Sequence, residues 1–150
     1  MTDVSLDENK NVVRRHYEEL FNSRDLDMAA EITAEDYVEH GVAAFADRVG
    51  DRPDPIEGLK ETVRWLTAAF PDLRIEVDDL VAEGDKVLAY ITMRGTHEGE
   101  FQGIPPTGRS FEARAMHLFR IRDGKAVEHW AVREDLPMML QLGLRLVPGA

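Results

Sequence analysis

Hydrophobic and polar residues alternate along the stretch from Phe111 to Glu134, and the alternation predicts two β-strands. One face of the first strand carries apolar side chains and one histidine: Phe111, Ala113, Ala115, His117, Phe119 and Ile121. A second strand-like segment follows Lys125 and carries His129. A period of two is typical of a strand that buries one face. The pattern therefore predicts a hairpin that brings two histidines onto one apolar surface.

The register of this hairpin depends on the turn that joins its strands, Arg122-Asp123-Gly124-Lys125. A two-residue turn would set His117 opposite Trp130. A three-residue loop, with its glycine in the left-handed conformation, would set His117 opposite His129 and match apolar with apolar neighbours. The further pairs of that register are Ala115 with Ala131 and Ala113 with Arg133. We predict this second register, in which two histidines and three small alanines line one patch and leave room for a ligand.

Helical periodicity precedes the strands. Apolar residues at spacings of three and four predict helices from Asp7 to Phe21, from Leu26 to Ile32 and from about Ile56 to Phe70, the last ended by Pro71. The segment from Val38 to Pro55 contains several glycines and prolines, and it predicts a long connection. Long ordered connections in compact domains often bind ligands, although plain mobility is equally compatible with the composition.

The remaining pattern completes the predicted fold. Two more strands are predicted from Leu73 to Ala82 and from Val87 to His97. The segment from Gly99 to Arg109 interrupts the sheet, because its double proline cannot lie inside a central strand. A short helix from Leu136 to Leu144 closes the chain. Helices followed by antiparallel strands predict an α+β fold, with the helices packed on one face of a curved antiparallel sheet.

Length, composition and charge narrow the class of protein. A chain of 150 residues, of which 43% are hydrophobic, suits one domain over residues 1–150 with its own core. The formal net charge of −11 repels nucleic acid phosphates and anionic membrane surfaces. No apolar run approaches the roughly 20 residues that cross a bilayer, and the N-terminus lacks the pattern of a signal peptide. We therefore expect a soluble cytoplasmic protein without nucleic acid or membrane partners.

Several kinds of chemistry are disfavoured by the residues that the chain lacks. It has no cysteine, which excludes disulfides, thiolate nucleophiles and cysteine metal sites. Its five histidines do not form a dense metal-binding spacing. The sequence also contains no nucleophile elbow, no phosphate-binding loop and no dinucleotide-binding glycine pattern. We therefore expect no metal site, and we do not expect one of the commonest hydrolases, a nucleotide enzyme or a nicotinamide dehydrogenase.

The histidines are the candidate catalytic residues. A histidine pKa near 6.5 suits a general base at neutral pH, and His117 is the first candidate. A neighbouring His129 disfavours double protonation, so one ring can remain neutral while the other donates a hydrogen bond to an enolate oxygen. Arg133 on the same face would bind a carboxylate or enolate, or pair with nearby acids. His40 would reach over a pocket mouth or lie on the surface. The alternative for both histidines is a packing role with backbone or acidic partners.

Several short motifs follow one another in a fixed order along nearly the whole chain. They are Gly103–Phe111, Met116–Ile121, Asp123-Gly124-Lys125, Glu128-His129-Trp130 and Gln141-Leu142-Gly143, preceded by Tyr17, Phe21 and Asp36–His40. In order and spacing they resemble the SnoaL-like polyketide cyclases, also called ester cyclases. The resemblance implies the cone-shaped α+β barrel of the nuclear-transport-factor-two-like superfamily, with a deep pocket between the helices and the concave sheet. It also implies a homodimer.

The resemblance further implies a cofactor-free reaction on a small hydrophobic or aromatic molecule. In such a reaction an acid/base group removes a proton next to a carbonyl, and an intramolecular aldol step closes a ring. His117 and His129 would be catalytic. The residues expected to contact the substrate are Tyr17, His40, Ala115, Phe119, Ala131 and Arg133.

One departure from the family pattern changes the expected mechanism. The characterised cyclases carry His-x-Asp on the second strand of the hairpin, whereas this chain has His129-Trp130-Ala131. A glutamine seen near the first histidine in the cyclases corresponds to Ala115. Because alanine cannot transfer a proton, two alternatives accompany the cyclase hypothesis. One is a non-catalytic protein that binds a small apolar ligand, and the other is a hydroxylase-like relative that shares only the fold.

Overall fold

Four helices, a π-helical segment and five strands make up the computed structural model, which describes residues 3–41 and 54–149. The helices are α1 (Asp3–Arg15), α2 (Met28–Ile32), α3 (Pro55–Ala69) and α4 (Asp135–Gln141), and the π-helical segment is His16–Asn22. The strands are β1 (Thr33–Glu39), β2 (Arg74–Glu83), β3 (Lys86–Thr96), β4 (Ser110–Arg122) and β5 (Lys125–Arg133). One open sheet has the order β1-β5-β4-β3-β2, and the predicted α+β class is confirmed.

Strand β1 is the element that the sequence analysis missed. It pairs in parallel with β5, so the sheet is mixed and has five strands, not four antiparallel ones. Exposed Glu35 and Asp36 interrupt its buried positions, which hides the alternation expected of a strand. The predicted connection from Val38 to Pro55 therefore begins inside β1, and residues 42–53 of that connection lie outside the described residues.

The first predicted helix begins earlier than expected and changes its form. Helix α1 starts at Asp3, four residues before the predicted Asp7, and gives way to a π-helix at His16. At the end of that segment, the N–H of Ser23 donates to the carbonyl of Glu18, five residues earlier, at 3.0 Å. Single π-helical turns are rare and often occur at functional sites. Here the wide turn buries four side chains: His16, Tyr17, Leu20 and Phe21.

The register predicted for the β4–β5 hairpin is wrong, although both histidines do face inward. The turn has two residues, Asp123 and Gly124, with φ angles of 51° and 76°. The extra residue instead forms a bulge in β5 between Ala126 and Glu128. The pairs that follow are Ala115 with Arg133, His117 with Ala131, Leu118 with Trp130, and Phe119 with His129. Because the bulge shifts the register by one residue, His129 returns to the inner face and lies diagonally across from His117.

Helix α3 covers the inner face of the sheet, and its start is well defined. The carboxylate of Asp54 accepts hydrogen bonds from the N–H groups of Ile56 and Glu57, both at 3.1 Å. Pro55 occupies the first helical turn, where its missing N–H costs nothing. The helix buries Leu59 and Val63 against the core. It thus forms one wall of the space above the sheet.

The segment predicted to interrupt the sheet is anchored at the end of α3. The N–H of Gly99 donates to the carbonyl of Ala69 at 3.0 Å. A side chain at Gly99 would not fit, because its Cβ would lie 2.1 Å from the carbonyl oxygen of Ala68. Phe101 and His97 are fully buried beside this contact. Contact with the end of α3 therefore holds the segment from Gly99 to Arg109 in place. We call this segment the rim.

Candidate functional site

A cavity of about 610 Å³ lies between the helices and the inner face of the sheet. Much of its wall is apolar and includes Leu59, Trp65, Ile75, Ile91, Ala113 and Met138. Cavities of this size hold drug-sized ligands, and an apolar wall favours a hydrophobic one. The predicted position of the two histidines agrees with the structure, because His117 and His129 both line this cavity.

A hydrogen-bonded chain of three side chains runs along the cavity wall. Nδ1 of His129 lies 2.7 and 2.8 Å from the two carboxylate oxygens of Glu39. Nε2 of the same ring lies 2.7 Å from Nδ1 of His117. The two imidazole rings are nearly parallel, with centroids 5.0 Å apart. We call this chain, Glu39–His129–His117, the relay.

Glu39 enters the relay as a carboxylate. Burial alone would raise its pKa, but hydrogen bonds and charge interaction with His129 outweigh that effect. The hydroxyl of Tyr37 donates to Glu39 at 2.8 Å, and the N–H of Gly41 donates at 2.7 Å. The pKa of Glu39 is consequently lowered. Because Tyr37, Gly41 and His129 all donate to Glu39, the ionised form satisfies each of them.

The ionised carboxylate fixes the tautomer of each histidine in turn. The carboxylate can only accept, so Nδ1 of His129 carries a proton, and when that ring is neutral its Nε2 has a lone pair. That lone pair accepts from Nδ1 of His117, which leaves the lone pair of His117 on Nε2. This Nε2 atom of His117 has no hydrogen-bond partner among the described residues. With His129 in its neutral form, the relay thus presents the lone pair of His117 Nε2 to the cavity.

The pKa of His117 lies well below its usual value. Removal from bulk water is the main cause, and a positive charge on His129, His16 or Arg133 acts in the same direction whenever that group carries its proton. A low pKa keeps the ring neutral and able to accept a proton at physiological pH. The chemistry available at this atom is therefore proton abstraction.

A third histidine on the cavity wall was not a sequence-based candidate. His16 is 8% exposed, and burial, followed by the charge of His129, lowers its pKa to about 3. Its neighbour Tyr17, which was a candidate, also lines the cavity and has a buried hydroxyl without a hydrogen-bond partner. Burial raises the pKa of Tyr17 well above its usual value. Both groups are therefore uncharged at neutral pH.

Two residues of the candidate site, Glu39 and His16, escaped the sequence analysis for different reasons. Glu39 belongs to the Asp36–His40 motif, but without β1 nothing placed it beside His129. His16 occurs at helical spacing with buried residues such as Val13 and Leu20, which gives a signal of core packing only. A search for polar residues at buried helical positions would have found His16.

The other predicted contact residues are divided between the cavity wall and the layer behind it. Ala115 and Arg133 line the cavity. Nε of Arg133 also donates to a carboxylate oxygen of Asp135 at 3.3 Å, as the salt-bridge alternative predicted. Phe119 is 1% exposed and lies behind the histidines, with its ring centroid 4.7 Å from that of His129. It supports the site by packing and is not part of the lining.

Ala131 and His40 do not line the cavity. Ala131 lies directly across the hairpin from His117. The His40 side chain lies on the outer side of the sheet, where its ring stacks on Trp130 at 4.7 Å with an interplanar angle of 7°. Its Nε2 lies 2.9 Å from a carboxylate oxygen of Glu128. The expected position of His40 over the pocket mouth is therefore not what the structure shows.

The described residues provide neither a metal site nor a membrane-spanning helix. Within residues 3–41 and 54–149, no group of three or more acidic or histidine side chains is arranged to hold a metal ion. In the same part of the chain, no helix has the length and apolar character needed to span a membrane.

Residues 11–142 match the family model described as SnoaL-like polyketide cyclase. Nogalonic acid methyl ester cyclase from Streptomyces nogalater is 34% identical over 119 residues, which cover 73% of this chain and 78% of the relative. Aklanonic acid methyl ester cyclase DauD from Streptomyces sp. (strain C5) is 30% identical over 130 residues, which cover 86% and 78% of the two chains.

Solved structures with the same fold include proteins with two different descriptions. IdmH from Streptomyces antibioticus, a candidate polyketide cyclase, is 38% identical and superposes with a TM-score of 0.77 over 91% of this chain and 99% of that one. AclR from Streptomyces galilaeus, a candidate hydroxylase, is 31% identical and superposes with a TM-score of 0.78 over 95% and 86%. Proteins that share this fold are thus named for two different reactions.

Proposed function

This chain belongs to the SnoaL-like polyketide cyclase family, and we propose that it closes a ring in a polyketide ester by a cofactor-free intramolecular aldol reaction, with His117 as the general base. The observation that carries the proposal is the relay. It holds an unpartnered imidazole nitrogen of His117 at the wall of an apolar cavity. A positioned base of this kind contributes about 10²- to 10⁴-fold to proton transfer.

The reaction needs no atom from outside the substrate. Nε2 of His117 takes a proton from the carbon next to a carbonyl, and the electron pair of the broken C–H bond forms an enolate. The enolate carbon then attacks a second carbonyl carbon of the same molecule, which forms the new C–C bond and an alkoxide. The imidazolium returns its proton to the alkoxide. The base is regenerated, and the product is an isomer of the substrate.

Glu39 supplies a carboxylate in a chain that lacks the aspartate of the family pattern. Ala131, at the position of the family aspartate, cannot take part in proton transfer, but it lies directly opposite His117. The carboxylate of Glu39 instead acts through His129 and lowers the cost of a positive charge on the two rings while the proton is held. In this proposal Glu39 and His129 are positioning residues, and His117 is the catalytic base.

The substrate class follows from the cavity and from the relatives. Two relatives are named nogalonic acid methyl ester cyclase and aklanonic acid methyl ester cyclase. The apolar wall suits a flat hydrophobic ligand, and a volume of about 610 Å³ suits one with several fused rings. Arg133 on the same wall provides a cation that can interact with an ester or enolate oxygen. We therefore propose an aromatic polyketide methyl ester as the substrate.

Deuterium uptake tests the proposed base without the natural substrate. The protein is incubated in D2O with aromatic β-keto esters, and exchange at the carbon between the carbonyls is followed by NMR. We expect exchange above background in the parent, and a loss of about 10²- to 10⁴-fold in His117→Ala. The conservative control is His40→Phe, which keeps an aromatic ring on Trp130 outside the cavity.

The same experiment separates the alternatives. Exchange that persists in His117→Ala would contradict the assignment of the base. Ligand binding without exchange in the parent would favour a non-catalytic binding protein. Oxygen consumption with a reduced aromatic ligand, again without exchange, would favour a hydroxylase-like reaction of the kind suggested by the name of AclR.

We also propose that two copies of the chain associate through the outer face of the sheet. Residues paired across β3, β4 and β5 form an apolar patch: Leu88, Tyr90, Met116, Leu118, Trp130 and Val132. Val132 is 79% exposed and Met116 is 49% exposed. A second copy can cover this patch with the same patch of its own, as a two-fold interface requires.

Light scattering of the parent and of Val132→Lys tests this assembly. The substitution places a charge within the patch, so we expect a dimeric parent and a monomeric variant with unchanged circular dichroism. Val147→Lys is the matched control, because Val147 is 80% exposed and lies in the C-terminal segment, outside the strands that form the patch. A monomeric parent, or a variant that remains dimeric, would contradict the proposed interface.

A further inference from the structure

His16 is a polar group on the cavity wall that the relay does not use. Its side chain is about nine-tenths buried, and it lines the cavity. Neither ring nitrogen has a hydrogen-bond partner among the residues that the structure describes. The ring therefore has hydrogen-bonding capacity that a ligand in the cavity can use.

The ring of His16 lies in the same corner of the cavity as the base. His16 and His117 share two aromatic neighbours, Tyr17 and Phe119. The centroid of His16 is 4.8 Å from that of Tyr17 and 5.2 Å from that of Phe119. The corresponding distances from His117 are 5.7 and 6.4 Å. A ligand that reaches His117 therefore also comes close to His16.

The orientation of His16 is fixed by its surroundings. Tyr17 packs against its ring at an interplanar angle of 84°, and Phe21 lies 5.2 Å away. The π-helical turn places these three residues at one point of the wall. A ring held in this way loses little conformational entropy when it forms a hydrogen bond to a ligand.

The protonation state of His16 suits a donor and not a base. Burial, followed by the charge of His129, lowers its pKa to about 3, so the ring is neutral over the working range of an enzyme. A neutral imidazole has one N–H group that can donate to an oxygen. Donors placed where negative charge develops are among the largest contributions to catalysis.

We infer that His16 is a further catalytic residue, whose ring N–H donates a hydrogen bond to the substrate carbonyl oxygen that becomes the enolate oxygen when His117 removes the proton. This role rests on the proposed function, since it names the group that stabilises the charge which His117 creates. No proton is transferred by His16, and the ring stays neutral throughout.

A carbonyl probe tests the donor independently of turnover. The probe is 1-acetonaphthone, whose ketone oxygen can only accept, and 1-ethylnaphthalene serves as the matched hydrocarbon. The relay leaves no N–H of His117 directed at the cavity, so a gain in affinity for the ketone reports another donor. We expect the parent to bind the ketone about tenfold more tightly than the hydrocarbon, with a lowered carbonyl stretching frequency.

His16→Phe removes the donor and keeps an aromatic ring on the wall. We expect the affinity ratio to fall to about one and the carbonyl frequency to return towards that in hydrocarbon solvent, with binding of 1-ethylnaphthalene unchanged. In His16→Gln, which retains an N–H donor, part of the ratio should return. His40→Phe, with its ring outside the cavity, should match the parent.

Three results would overturn the role of His16. They are a carbonyl frequency that is not shifted in the parent, a ratio that His16→Phe does not change, and failure of the parent to bind either compound. The first needs no variant, so it applies even if His16→Phe does not fold. Failure of the proposed function is a separate result, since it appears as absent deuterium exchange while the ketone remains hydrogen-bonded.

Discussion

At the scale of single residues, the site depends on one carboxylate that the hairpin does not contain. The sequence analysis identified His117 and His129 from their alternation with apolar residues, and that part of the site was predictable. Glu39 was not, because it lies 90 positions before His129 and reaches it only through a parallel strand pair. Spacing along one hairpin cannot reveal a partner that the fold brings from another strand.

Substitution of Glu39 tests the relay. Glu39→Leu removes the acceptor of His129, whereas Glu39→Gln keeps an amide oxygen for His129 and can donate to the hydroxyl of Tyr37. We expect proton exchange to fall by about 10- to 100-fold in Glu39→Leu, and less in Glu39→Gln. The measurement is the pH–rate profile of deuterium uptake, which should shift only if Glu39 acts through the histidines. Identical profiles in the parent and both variants would contradict this role.

At the scale of elements, two irregularities determine which side chains face the cavity. The bulge in β5 places His129 on the inner face, and the π-helical segment places His16 on the wall. Neither has a strong signal in the sequence. A bulge adds one residue without a special composition, and a π-helix shares its residue preferences with the α-helix around it. The elements themselves were predictable from periodicity, but these local departures were not.

The rim formed by the segment from Gly99 to Arg109 provides a test at this scale. A methyl group at Gly99 would collide with the backbone of Ala68, so Gly99→Ala should destabilise the protein by more than about 2 kcal/mol. Gly103→Ala is the matched control. It meets no atom within 4 Å but has a φ of +77°, so we expect a loss of only about 1 kcal/mol. Urea unfolding measures both, and equal losses would contradict the close contact at Gly99.

At the scale of the whole molecule, the family and the fold were predictable, but the geometry of the site was not. The motifs that resemble the SnoaL-like cyclases lie in order along the chain, and the match over residues 11–142 confirms the family. The order of the motifs can be recognised even when a strand register is predicted wrongly or a strand such as β1 is missed, because it depends on the sequence alone. The contacts of His16 and Glu39 depend on the three-dimensional arrangement, and only the structure supplies them.

The buried histidines predict that the protein loses stability in mild acid. His16 has a pKa of about 3 when folded and about 6.5 when unfolded. Between these values the unfolded chain binds a proton that the folded protein does not, so the free energy of unfolding falls as the pH drops below about 6.5. His16 alone should cost about 2 kcal/mol between pH 7.5 and pH 5. His117, whose pKa is also lowered, adds a loss of the same sign.

Urea unfolding of the parent and of His16→Phe at both pH values measures this effect. The difference between the two pH values should be about 2 kcal/mol smaller in the variant, since phenylalanine does not titrate. Comparison at matched pH cancels the general effect of the net charge of −11. The same difference in both proteins would show that His16 is accessible to protons in the folded state.

The most direct test of the account is the tautomer of His117, observed by NMR of the 15N-labelled protein at pH 7.5 without any ligand. The relay predicts a neutral ring with its proton on Nδ1 and a bare Nε2, and a proton on Nδ1 of His129. His117→Gln assigns the signals. A proton on Nε2 of His117 would contradict the account, because the lone pair would then point at His129 and no base would face the cavity.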